Sequence, residues 1–320
     1  MTIKDIYERA VKRGMELDPR GPDEVAQDLK RADRELADLR EKDRKWFDRE
    51  RLKNPYSDTR ILSGDPETEV KRVIVGIDME VGEVVLADRI GERGGRIDLI
   101  ISHHPEGRAM AALYEVMGMQ APLLLKYGVP IHFAEGVMEE RINEVERKLL
   151  PANHTRAIDA ARLLGIPFMC VHTPSDNAVA NFLQGIFDEK KPLYVSDALD
   201  MLRDMPEYRF AANETAGPKI VTGGSGRRAG RIFVDMTGGT GGSKNVYEGL
   251  SRAGVGTIVG MHISEDHRKE AQKHHINVLI AGHIASDNLG MNLLLDDVLD
   301  AGVDVINCSG FKRITRKERG

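Results

Sequence analysis

The sequence predicts an α/β protein of two lobes, preceded by a charged helical extension. Three observations carry this. From Val73 onward, short β-branched runs alternate with stretches of helical composition, the pattern of strands joined by crossover helices in largely parallel sheets. A less regular region at 190–217 divides these units into two series. The first 60 residues hold 16 Lys/Arg and 15 Asp/Glu, about half of that stretch, against 30% charged residues in the whole chain.

Taken in order, Gly21-Pro22-Asp23 starts a helix, since proline fits the first turn. Val25, Leu29, Ala32, Leu36, Leu39 and Trp46 then follow heptad-like steps. That stripe packs either on its own domain or, as an arm, on another subunit. Asn54-Pro55-Tyr56-Ser57-Asp58 ends the segment as a loop. The first series reads as strands at Val73–Asp78, Ile97–His104, Val129–Glu135 and Ile166–Thr173, with helices at 109–128 and 138–165. The second reads as strands within 218–224, 230–239, 255–263, 276–283 and 303–311. The division is an extension at 1–66, a first lobe at 67–189 and a second lobe at 190–320.

Composition narrows the class. At 320 residues and 41% hydrophobic, the chain can bury a substantial core. Net charge is −5 and aromatics are 5%, which argues against a nucleic-acid surface. No apolar run reaches membrane-spanning length, and the N-terminus lacks a signal-peptide pattern. Cys170 and Cys308 are too few for a disulfide framework, so a cytoplasmic setting is expected.

Three blocks place polar side chains directly after strands, where α/β folds put their sites. Ser102-His103-His104-Pro105 closes one strand with two imidazoles, a common ligand for zinc and related metals. His172-Thr-Pro-Ser-Asp176 puts an imidazole and a carboxylate at a strand-to-helix turn. The plain reading of Ser175 and Asp176 is helix capping. Gly282-His283-Ile-Ala-Ser-Asp287 places a second such pair one helical turn apart. Together His103, His104, Asp176, His283 and Asp287 mix imidazole with carboxylate, which suits zinc, manganese, iron, cobalt or nickel better than calcium. Five ligands exceed one tetrahedral site with an open position and fit two divalent metal ions bridged by a carboxylate.

ISHHP, HTPSD and AGHIASD, in this order, resemble the Nif-three-like family of dinuclear-metal proteins, often described as GTP cyclohydrolase I type 2. The resemblance covers roughly 70–320. It implies two α/β lobes with metals in the cleft, the C-terminal part returning to the site, and a toroidal homohexamer. It maps the family's double histidine onto His103 and His104, its aspartate onto Asp176 and its late histidine onto His283. Where the family has a bridging glutamate, this chain has Asp287, one methylene shorter. A Gly-Asp-x-x-Tyr-His motif is replaced by the sequence around Gly260–His267.

Function follows as a metal-dependent hydrolase of a small-molecule or nucleotide-like substrate, with His172 in the first or second shell of the metals and, as the catalytic candidate, in a second-shell or proton-handling role. Rival readings are an Asp-His-His manganese phosphoesterase, for which Asp78-Met79-Glu80 is an imperfect match, and a non-catalytic metal-binding hexameric scaffold. The glycine-rich stretches Thr222–Gly226 and Thr237–Lys244 read as tight turns that could cradle phosphate but lack P-loop spacing. The basic run Arg313–Arg319 reads as a solvated tail, and His154, His262, His267, His274 and His275 as surface residues.

Overall fold

The computed structural model describes residues 1–317. Among the described residues, nine strands form two sheets: β1 (Thr59–Ser63), β2 (Arg72–Gly76), β3 (Leu99–Ser102), β4 (Phe168–Val171), β5 (Lys219–Thr222), β6 (Arg231–Asp235), β7 (Val255–Gly260), β8 (Asn277–Ile280) and β9 (Asp304–Asn307). The first sheet runs β1-β4-β3-β2-β9 and the second β5-β8-β7-β6. In each, the first strand is an antiparallel edge and the rest are parallel. With β9 set aside, both sheets share one strand order. The two lobes therefore repeat a topology that the sequence suggests only through its two series.

The buried runs explain the parallel pairing. Val73, Ile74 and Val75 of β2, and Leu99, Ile100 and Ile101 of β3, are fully buried. Such runs belong in strands covered on both faces. The helix His283–Val298 is buried nearly all round and lies between the lobes. Its Ala285 and Leu289 join the core of the second sheet with Val234, Val259 and Leu279. Its Met291, Leu294, Leu295 and Val298 join the core of the first with Val73, Val75 and Leu99. It crosses the helix Thr173–Lys190 closely, and a Cβ on Gly290 would lie 2.5 Å from the Ser175 carbonyl oxygen.

Four expectations change. Val129–Glu135 is not a strand: Pro130 stands at the N-cap of a helix, Ile131–Leu149, that buries Ala134, Met138 and Val145 along one stripe. The helical period through those three residues outweighs the two β-branched residues at its start. The first 66 residues are not only helical, because β1 lies among them and pairs with β4. Ile3, Ile6 and Ala10 of the helix Ile3–Glu16 enter the first lobe's core. In the helix Pro22–Asp38, Val25 and Ala32 are buried on the same chain, while Trp46 beyond it is 79% exposed. The basic run Arg313–Arg319 is described as far as Lys317 and is not free. Arg316 makes two hydrogen bonds to the buried Glu207 carboxylate, at 2.8 and 2.6 Å, and Arg313 pairs with Asp296. A lone carboxylate buried beside the helix His283–Val298 is costly, so the tail's cations fold back onto it.

Among the described residues, no helix is long and apolar enough to cross a membrane.

Candidate metal centre

The three motif blocks meet. His103 follows β3 and His104 follows it, their backbone N–H groups bonded to Gly76 and Ile77 at 2.9 Å, so the parallel ladder continues past the strand end. His172 follows β4 and is the N-cap of the helix Thr173–Lys190. That helix starts four residues earlier than capping by Asp176 requires. Asp176 therefore lies in its first turn with its side chain buried, and Ser175 Oγ has no partner. His283 opens the helix that carries Asp287 one turn on.

Around Asp287 the geometry is specific. Its Oδ1 lies 3.5 Å from His103 Nε2, and its Oδ2 lies 3.6 Å from both His104 Nε2 and His283 Nε2. His103 Nε2 is also 3.5 Å from Asp176 Oδ1. These separations are too long for good hydrogen bonds. They match ligand atoms sharing a cation, since metal–ligand bonds of about 2.1 Å in a tetrahedron set neighbouring donors about 3.4 Å apart. Asp287 thus turns one oxygen to each of two donor sets, His103 with Asp176 and His104 with His283.

Burial sharpens the point. Both oxygens of Asp287, Oδ1 of Asp176 and both ring nitrogens of His103 are buried without a hydrogen-bond partner. Orphaned buried polar atoms are rare and costly. His103 Nε2 and the carboxylate oxygens converge on one spot, and their chemistry fits a borderline divalent ion.

Burial moves the charge states of these groups in both directions. Burial pushes His103 down to about 4, with neighbouring His172 and His104 also opposing protonation against the pull of Asp287, so its ring is neutral and free to donate a lone pair. Burial, reinforced by Asp287, raises Asp176 well above the usual carboxylate range. Burial also opposes ionisation of Asp287, but the imidazoles of His103, His283 and His104 outweigh it and hold the carboxyl below its usual value. Burial would depress His172, yet Asp176 and Asp58 together carry it to about 9.

Two residues behind the ligands lie outside the three motif blocks, Asp78 having entered only the phosphoesterase reading. Asp58 Oδ2 accepts from His172 Nδ1 at 2.8 Å and from Thr173 Oγ1 at 2.6 Å. Asp78 Oδ1 lies 2.6 Å from His104 Nδ1. A carboxylate behind a histidine fixes its tautomer and aims the other nitrogen forward. Asp78 sits two residues beyond β2, where the strand-end rule finds it. Asp58 precedes β1, and that rule does not reach it. His262 is not simply a surface residue: it lines the cleft, its ring centroid 5.0 Å from that of His283.

The cleft over these groups has a volume of about 290 Å³. The glycine-rich loop after β6 forms part of its wall through Thr237, Gly239, Thr240 and Gly241. Gln120 Nε2 holds that loop by donating to the carbonyls of Gly238 and Thr240 at 2.6 and 2.7 Å. With φ of +96° at Gly238 and +83° at Gly239, glycine is what the turn requires. The other glycine-rich turn, Thr222–Gly226, packs against Asn277 away from the cleft.

No protein-family model and no curated protein matches the chain. Solved structures do. A NIF3 superfamily protein from Sphaerobacter thermophilus is 29% identical, with a TM-score of 0.71 over 80% of this chain and 92% of that one. Reduced HcgD from Methanocaldococcus jannaschii is 14% identical, with a TM-score of 0.45 over 77% and 87%. The Staphylococcus aureus hypothetical protein SA1388 is 15% identical, with a TM-score of 0.42 over 79% and 89%.

Proposed function

We propose that this chain, whose structural neighbours are NIF3 superfamily proteins, is a dinuclear-metal hydrolase. The observation that carries the reading is Asp287, buried, unpaired, and turned by one oxygen to each of two donor sets. His103 and Asp176 would hold one divalent ion, His104 and His283 the other, with Asp287 between them. When bound, such ions supply Lewis acidity and an acidified water nucleophile near neutral pH.

The chain's own residues do the rest. Asp58 keeps His172 protonated at Nδ1, and His172 Nε2 lies 3.7 Å from Asp176 Oδ2 at the edge of the cleft. There it is the group placed to hold or deliver a proton. Asp78 and Asp58 fix the imidazole directions. Neutral His103 offers its lone pair without first losing a proton. The homohexamer, the cytoplasmic setting and the nucleotide-like substrate are the parts of this reading that rest on the resemblance and on composition.

The phosphoesterase alternative needs Asp78 among the ligands. Asp78 instead stands behind His104, at the nitrogen facing away from Asp287. Elemental analysis of protein purified without chelator tests the reading: two ions per chain are expected, falling to none in Asp287→Ala. Unchanged metal content in that variant would falsify it.

A further inference from the structure

The glycine-rich loop after β6 has its carbonyl groups pinned by side chains. Gln120 Nε2 donates to those of Gly238 and Thr240, Arg141 Nε to that of Gly241 at 2.9 Å, and His267 Nε2 to that of Gly242 at 3.0 Å. Gln120 is buried, and all three side chains stand outside the cleft lining. The described residues contain no cis peptide bond. In a trans peptide the N–H points opposite to the carbonyl of the preceding residue. The N–H groups of Gly239, Gly241 and Gly242 therefore turn away from the pinning side chains, and Gly239 and Gly241 line the cleft. None of these three N–H groups has a hydrogen-bond partner among the described residues, whereas the Thr240 N–H is bonded to the Gly238 carbonyl. Neighbouring N–H groups turned the same way in such a loop make an anion-binding concavity.

Across the same cleft stand Asp176 and Asp287, 5% and 0% exposed, with oxygens that have no hydrogen-bond partner. His262 spans the two walls. A Cβ on Gly241 would lie 3.9 Å from its Cε1, and its ring centroid is 5.0 Å from that of His283. A ligand that reaches the donor sets is thus one imidazole away from the loop. Charge divides in the same sense. Asp78, Glu80 and Glu106 follow β2 and β3 of the first lobe, and only Asp235 of the lining carboxylates outside the ligand set belongs to the loop side. The Arg141 guanidinium behind the loop polarises the Gly241–Gly242 peptide. Three donors match the three terminal oxygens of a phosphate monoester, where a carboxylate offers two.

We propose that this loop is a phosphoryl subsite: the substrate carries a phosphate monoester held by the N–H groups of Gly239, Gly241 and Gly242, while its hydrolysable group lies at the metals. This rests on the dinuclear reading and narrows its substrate to a compact phosphorylated molecule.

The test is calorimetric titration of the zinc-reconstituted full chain with two probes, and zinc content is measured on the same samples. Phosphoglycolohydroxamate carries a metal-binding hydroxamate and a phosphate monoester. Glycolohydroxamate carries the same hydroxamate with a hydroxyl in place of the phosphate. The phosphorylated probe should bind at least about tenfold more tightly, as expected for charge-assisted hydrogen bonds. Gln120→Met, which releases the Gly238 and Thr240 carbonyls, should remove most of that advantage at unchanged zinc content. Arg141→Met, at a partly exposed position, should reduce it about threefold. Equal binding of the two probes by the wild-type chain would overturn the proposal and leave the metal centre standing. An advantage that survives intact in both variants would place the phosphate on the metals and also overturn it. No zinc uptake at all would overturn both this proposal and the dinuclear reading.

Discussion

Asp58 and His172 are 114 residues apart in the chain and 2.8 Å apart in the fold, as a buried carboxylate and the imidazole it orients. The contact ties the N-terminal segment to the metal centre. Burial opposes the Asp58 charge, but the hydrogen bond and charge of His172, with two bonds from Thr173, hold its carboxyl below the usual range. Asp58→Asn keeps the shape and removes the charge, leaving a buried imidazolium with a weaker partner. Breaking one side of such a pair costs about 3 kcal/mol. Urea unfolding should show that loss, and NMR titration should show His172 releasing its proton at lower pH than in the wild type. An unshifted His172 titration would mean that Asp58 does not set its charge.

Gly290 controls how closely the two ligand-bearing helices approach. A methyl there would meet the Ser175 carbonyl oxygen at 2.5 Å and Ser175 Oγ at 2.8 Å. Gly290→Ala gains about 1 kcal/mol of helix propensity and loses about 1–3 kcal/mol to overpacking, so a small net destabilisation is expected. Because Asp176 and Asp287 sit on the separating backbones, metal affinity should fall by more than stability alone explains. Chelator competition measures that affinity, and an unaltered affinity would show that the crossing does not set the ligand spacing.

Metal should act as a stabilising ligand. Saturation about a thousandfold above the dissociation constant contributes about 4 kcal/mol, which is on the order of 10 °C in melting temperature for a chain of this size. Calorimetry with and without chelator should show that difference in the wild type, and little in His103→Ala/His104→Ala.

In the chelated protein, His103 gives stability a pH dependence of known sign. Burial lowers its folded value to about 4 from 6.5. A depressed group contributes fully above the unfolded value, so stability is complete above pH 6.5 and is lost as pH falls towards 4. The shift corresponds to about 3 kcal/mol at most. Urea midpoints between pH 7 and 4 should fall less steeply in His103→Gln than in the wild type. Equal slopes would place the loss on other groups.

Arg316 neutralises a carboxylate with almost no solvent contact: the Glu207 side chain is 1% exposed, and Arg316 itself is 26% exposed. Arg316→Met retains the apolar stem and leaves Glu207 without its cation. A loss of about 2–3 kcal/mol is expected by urea unfolding, with most of it restored in Glu207→Gln/Arg316→Met.

The α/β class, eight of the nine strands and the convergence of three motif blocks could be read from the sequence. Buried parallel strands write themselves as apolar runs, and sites in such folds gather where the chain leaves those runs. His103, His172 and His283 each stand at such an exit. Tertiary structure decided the rest. Asp58 was hidden because β1 is antiparallel: Thr59 pairs with Val171, so the start of β1, not its end, lies beside the end of β4. Sequence period does not reveal strand direction. Val129–Glu135 was misread because a short apolar run suits either element until its neighbours fix the period. The division of Asp287 between two donor sets depends on a close helix crossing at Gly290, and crossings form between segments more than a hundred residues apart.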